Sequence, residues 1–134
     1  MKELLFHGAV VFLVGLIAGL FYWVAILRED EDASARWRVA HAFLVIEGMF
    51  ILLVGLSTPH LVLRDQMVAL LVWTTVISGY AFVFAFVLGA LRGLRGLTIT
   101  PLGLNTMLFV GHSVGATGSF VTILILMMGA LGGG

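Results

Sequence analysis

Four long apolar stretches, separated by three polar or punctuated segments, set the pattern of this chain. They run from Leu4 to Leu27, Val39 to Ser57, Met67 to Ala90 and Thr106 to Leu131. A helix needs about 20 mostly apolar residues, each rising ~1.5 Å, to cross a hydrocarbon core of roughly 30 Å. Each stretch is long enough. The pattern therefore predicts an all-α integral membrane protein, a four-helix transmembrane bundle forming one domain over residues 1–134. The separators are residues 28–38, REDEDASARWR, which hold seven of the fourteen Asp, Glu, Lys and Arg residues; residues 58–66, TPHLVLRDQ, with the first Pro; and residues 91–105, LRGLRGLTITPLGLN, with the second Pro. All three are expected as loops, and the glycine-rich tail, residues 129–134, as a frayed end.

Composition excludes the soluble alternative. With 61% hydrophobic and 10% charged residues, a chain of this size has too much apolar surface to bury in a water-exposed fold. The first stretch lasts about 24 residues and closes near Phe21-Tyr22-Trp23, an aromatic interface pattern, so it reads as a retained span rather than a cleaved signal. The absence of cysteine removes disulfides and thiolate metal sites. No basic cluster suited to nucleic acid is present, and the partner implied is the lipid bilayer. The first and third loops carry five of the seven Lys and Arg residues, against Lys2 and Arg64 on the other side. The positive-inside rule then places both termini outside. The expected location is a bacterial inner membrane.

Glycine spacing adds a packing signal. Gly15 and Gly19 form a GxxxG in the first stretch; Gly111 and Gly115, with Ser119 next on that face, repeat it in the fourth. Small residues four apart let helix backbones approach closely in lipid. The contact is either within the bundle or between protomers. Four helices enclose little interior, so a cofactor or substrate is most easily held between copies, which points to a homo-oligomer.

Ionisable groups inside the spans are costly and are functional candidates by default. His41, near the start of the second stretch, heads an apolar stripe through Leu44, Val45 and Gly48. A donor nitrogen with Gly48 two turns along suits a flat macrocycle lying against the helix, and imidazole is the common axial ligand of haem iron. The alternative is an interface histidine bonded to a backbone carbonyl or headgroup. Glu47 lies six residues on, about 240° around the helix and roughly 9 Å along it. The two cannot serve one site from one helix face, but they could do so across a subunit boundary. A neutral carboxylic acid donates a hydrogen bond, which makes Glu47 a candidate catalytic group or proton carrier; a Ser, Tyr or Thr of a neighbouring span could equally satisfy it. His112, deep in the fourth stretch, is a candidate second haem ligand or pocket residue. His7 and His60 lie near span ends, where snorkelling accounts for them.

The ordered series His7-Gly8, Gly19, Trp23, Trp37, Ala40-His41, Gly48-Met49, Pro59, Asp65, Gly79, Arg95-Gly96-Leu97-Thr98 and Pro101, ending in a glycine-rich fourth span, resembles the styrene oxide isomerase family of small four-span membrane enzymes. The resemblance implies a homotrimer with haem b between protomers and His41 as axial ligand. It also implies ferric Lewis-acid chemistry that opens a small hydrophobic epoxide towards a benzylic cation. A hydride shift then gives the aldehyde, with no electron leaving the system. A dry pocket suits that chemistry, because water would capture the cation.

The sequence departs from the family's pattern at the pocket. Glu47 stands where the family has an amide, Phe86 where it has a tyrosine, and Ser78 where it has a carboxylate; His112 has no counterpart. Phe86 cannot hydrogen-bond an epoxide oxygen, and Tyr80 is too far around the helix to replace the missing hydroxyl. Three functions follow: a haem-dependent epoxide isomerase with Glu47 on the oxygen and Ser78 and Phe86 lining the pocket; a non-catalytic haem protein for electron transfer, sensing or haem handling, with His112 as second ligand; or a cofactor-free scaffold or small transporter with Glu47 and His112 as a proton relay.

Overall fold

The computed structural model describes residues 1–132. Its four helices are α1 (Lys2–Leu27), α2 (Glu31–Ser57), α3 (Asp65–Arg92) and α4 (Leu104–Ala130), with a short 3-10 turn at Thr58–His60. All four are long and apolar enough to cross a membrane. Helices of 26 to 28 residues span about 40 Å at ~1.5 Å per residue, so their ends project beyond the hydrocarbon core. Large apolar side chains such as Leu20, Ile46, Trp73 and Phe120 are exposed, and the bilayer is the solvent that accepts them. Gly129 and Ala130, expected in a frayed tail, close α4; Gly133 and Gly134 lie outside the described residues.

The largest difference from expectation is at the start of α2. The charged segment 28–38 is mostly helix, because α2 begins at Glu31 and only Arg28–Asp30 connect it to α1. The cause is local: Asp30 Oδ1 accepts the Ala33 N–H at 2.9 Å, and Glu31 and Asp32 follow in the first turn. A capping Asp with acids behind it satisfies free N–H groups and favours the positive end of the helix dipole. At the same end of the bundle, α3 stops at Gly93, whose φ of 68° lets the chain turn left-handed at no steric cost. Arg36 of α2 donates Nε to the Ala90 carbonyl there at 3.2 Å. This contact ties the first and third connections together on one membrane side.

The bundle is two hairpins. α1 packs mainly on α2 and α3 mainly on α4, with α2 and α1 both meeting α3. All four helices supply the core nearest the 58–64 connection, through Leu4, Val11, Ile51, Val54, Leu71 and Ile125. Nearer the charged connections, Ala18, Trp37, Ala40 and Ala90 form a second cluster, flanked by Tyr22, Phe86 and Val87.

Candidate functional site

His41 is half-buried on the side of α2 that faces α1. The two backbones nearly touch there: a methyl group on Gly15 would lie 2.7 Å from the Val45 nitrogen. This approach brings the Gly15 carbonyl to 2.8 Å from His41 Nδ1. A carbonyl only accepts, so Nδ1 carries the proton and donates it, and the neutral ring keeps its lone pair on Nε2. That is the state in which histidine ligates a metal, with the second nitrogen held by a backbone carbonyl. The residues present therefore fit a mono-histidine haem. One turn earlier, Trp37 stacks on Phe21 of α1 with centroids 4.7 Å apart.

The opposite side of α2 carries a different group. Phe43, about 200° around the helix from His41, packs on Phe86 of α3 at 4.4 Å and on Phe82 at 4.8 Å. His112 of α4 meets the edge of Phe86 at 4.7 Å. Glu47, one turn beyond Phe43, shares its face. A further turn on, Ile51 packs into Gly79 of α3, so Glu47 lies on the stretch of α2 that faces α3. It is only 6% exposed, and its Oε1 is enclosed without a hydrogen-bond partner. A buried acceptor left unpaired costs about 1–3 kcal/mol. The hydroxyl of a neighbouring span, one of the two expectations for Glu47, does not reach that oxygen.

Three further candidates are placed elsewhere than expected. A methyl on Gly48 would fall 2.6 Å from Phe12 Cα, so Gly48 is taken up by α1 and offers no surface to a macrocycle. Ser78 is buried and its hydroxyl donates to the Gly115 carbonyl at 2.6 Å, while the Ser119 hydroxyl donates to Ser78 Oγ at 2.7 Å. Its hydroxyl is committed to joining α3 to α4 and does not line a pocket. His7 does not face headgroups alone, since its Nδ1 is 2.9 Å from the Tyr80 hydroxyl. Within one chain, His41 and His112 belong to contacts on different sides of α2, and so do His41 and Glu47.

Sequence reasoning missed Phe43 and Phe82, which sit among many apolar residues with nothing to mark them, and the link from Gly15 and Gly19 to His41. The glycine pair was visible as a packing motif; the histidine it serves was not. The family model for styrene oxide isomerase matches residues 1–131. The chain belongs to the styrene oxide isomerase family. No curated protein and no solved structure gives a match. Membership in this family agrees with the four membrane-spanning helices and with the ordered series of residues through which the sequence resembles it.

Proposed function

We propose that this member of the styrene oxide isomerase family is a haem b-dependent membrane isomerase that converts a small hydrophobic epoxide to a carbonyl compound. The observation that carries the proposal is the hydrogen bond from His41 Nδ1–H to the Gly15 carbonyl, which leaves Nε2 free to hold haem iron. Bound ferric haem would supply Lewis acidity towards an epoxide oxygen. The chain's own residues do the rest. Gly15 fixes the His41 tautomer. Phe43, Phe82 and Phe86 form an apolar wall that excludes water, which would otherwise trap a developing cation as a diol. Glu47, in its neutral form, donates its unfilled hydrogen bond to the substrate oxygen. Because His41 and Glu47 lie on different sides of α2, a substrate touching both sits between protomers. Phe43, 37% exposed and one turn from Glu47, stands between the bundle surface and the enclosed Glu47 Oε1, so its ring must move aside for a substrate to reach that oxygen. The proposal therefore requires an oligomer, a homotrimer by family resemblance.

The test is the visible absorption spectrum of detergent-purified protein, oxidised and reduced, together with turnover of styrene oxide to phenylacetaldehyde. A Soret band near one haem per protomer and aldehyde formation, both lost in His41→Ala, are expected. A colourless wild-type protein after expression with ample haem sinks the proposal.

A second function has its own support. Ser78 is committed to α4 and Phe86 has no hydroxyl, so two of the three departing pocket positions offer a substrate no hydrogen bond. A non-catalytic haem protein would bind haem without turning over epoxide. With His112 of another protomer as second ligand, it would show a six-coordinate low-spin spectrum that becomes high-spin in His112→Ala.

A further inference from the structure

The α1 GxxxG pair has a second feature besides close packing. A methyl on Gly19 would lie 2.8 Å from His41 Nδ1 and 2.9 Å from its Cε1, so the imidazole rests directly on the bare α1 backbone. Four residues earlier, the Gly15 carbonyl receives the ring's proton. A helical carbonyl accepts its own helix's N–H with one lone pair and has a second to offer. Elsewhere along α1, Gly8 makes an equally close approach, but onto the backbone nitrogen and aliphatic side chain of Leu52, where there is no ring to orient.

We propose that Gly15 and Gly19 are positioning residues for the haem ligand: Gly19 makes the space in which the His41 ring lies, and the Gly15 carbonyl sets the ring's tautomer and basicity. The inference rests on the haem function proposed above and adds to it the part of the chain that tunes the iron. A hydrogen bond accepted from Nδ1–H makes the opposite nitrogen a stronger donor, and a stronger donor favours ferric over ferrous iron. Losing the bond therefore raises the reduction potential and weakens haem retention, and outer partners of this kind typically matter by about 10–100-fold in affinity.

Two experiments on the full-length protein in detergent, loaded with hemin, test this. In the first, Gly19→Ala is compared with Gly8→Ala. Gly19→Ala is expected to lose hemin at least tenfold faster and to show a more positive reduction potential. Gly8→Ala, with a comparable steric insult, keeps the wild-type potential. Equal behaviour of the two variants overturns the role of Gly19. The second leaves α1 untouched, so it stands even where Gly19→Ala does not fold. The His41→Gly variant is reconstituted with hemin plus either imidazole or 1-methylimidazole, which ligates equally but has no N–H to donate. Imidazole is expected to restore hemin retention and the wild-type potential, and 1-methylimidazole to give a more positive potential. Identical potentials overturn the role of the Gly15 carbonyl. Wild-type protein that takes up no hemin overturns the haem function itself and the inference with it, whereas hemin-binding wild type with indifferent variants overturns the inference alone.

Discussion

The two hairpins of this bundle are joined by different chemistry. Between α1 and α2, glycines on both helices bring the backbones together: Gly8 against Leu52, Gly15 against Leu44 and Val45, Gly48 against Phe12. Between α3 and α4, hydroxyls add to the glycine contacts, in which Gly111 meets Ala85, Gly115 meets Phe82 and Gly118 meets Ser78. Thr122 meets Thr75 at 3.0 Å and Thr74 at 3.2 Å, and Ser78 binds Gly115 and Ser119. Lipid supplies no hydrophobic force between helices, so both devices are needed to replace it, one by dispersion and one by hydrogen bonds. They differ in what is left over. The buried hydroxyls of the second hairpin, Thr75, Ser78 and Thr122, are each used up by a neighbour or by their own helix. The first hairpin leaves a nitrogen lone pair on His41, and at its border with α3 leaves one carboxyl oxygen of Glu47 unpaired. Polar capacity that the fold does not consume marks where a ligand can act.

The largest effect should come from breaking the glycine-packed hairpin. A methyl on Gly48 meets the backbone of Phe12, which cannot rotate away, so Gly48→Ala has to push α1 off α2. Overpacking of this kind costs about 1–3 kcal/mol and sometimes more. Gly118→Ala in the other hairpin meets Ser78 Cβ at 2.9 Å and the Thr74 carbonyl at 3.1 Å, a milder collision. Thermal unfolding in detergent should rank Gly48→Ala as the more damaging. It should also lose hemin, because the His41–Gly15 contact opens as the helices part. Gly118→Ala retaining less hemin than Gly48→Ala would reverse the assignment of the two hairpins.

A smaller effect, of opposite sign in two readouts, should follow from Glu47. Replacing the carboxyl by an apolar side chain of similar volume, Glu47→Leu, removes a buried group with an unmet hydrogen bond, a relief of about 1–3 kcal/mol. Stability in detergent should therefore rise or hold. Epoxide turnover should fall at least tenfold, since the donor to the substrate oxygen is gone, while Glu47→Gln, which still donates, should retain more activity. A variant that loses both stability and turnover would show that Glu47 is held by the fold and not spared for a ligand.

The sequence revealed these features unevenly, for physical reasons. The four spans were legible because a bilayer demands long apolar runs and polar punctuation between them. The start of α2 was not, because acids that cap a helix look like acids in a loop until Asp30 is seen bonding Ala33. His41 stood out by its cost in lipid, but its partner Gly15 acts through a carbonyl that every residue possesses. Glycine periodicity showed where helices approach and not which helices do so. Gly48 was therefore expected beside a cofactor, yet it packs on Phe12. Ser78 and Thr122 are short hydroxyls on apolar helices, and periodicity alone does not tell a pocket hydroxyl from one that joins two helices.

Thr122 offers the smallest change and the sharpest control. Thr122→Val keeps shape and removes the hydroxyl that meets Thr74 and Thr75. Neither partner is stranded, because Thr75 still donates to the Leu71 carbonyl at 2.6 Å and Thr74 to the Leu70 carbonyl at 2.8 Å. The loss is then that of the one interhelical hydrogen bond the Thr122 proton can donate, in a membrane on average about 0.6 kcal/mol and at most about 1.7. Unfolding of Thr122→Val should shift by that amount, with hemin retention, reduction potential and epoxide turnover all at wild-type values. If instead the variant lost haem while staying folded, the hydroxyl contacts of α3 and α4 would be transmitting strain to His41 across α2. The division of labour between the two hairpins would then fail, because the second would be shaping the site as well as holding the bundle together.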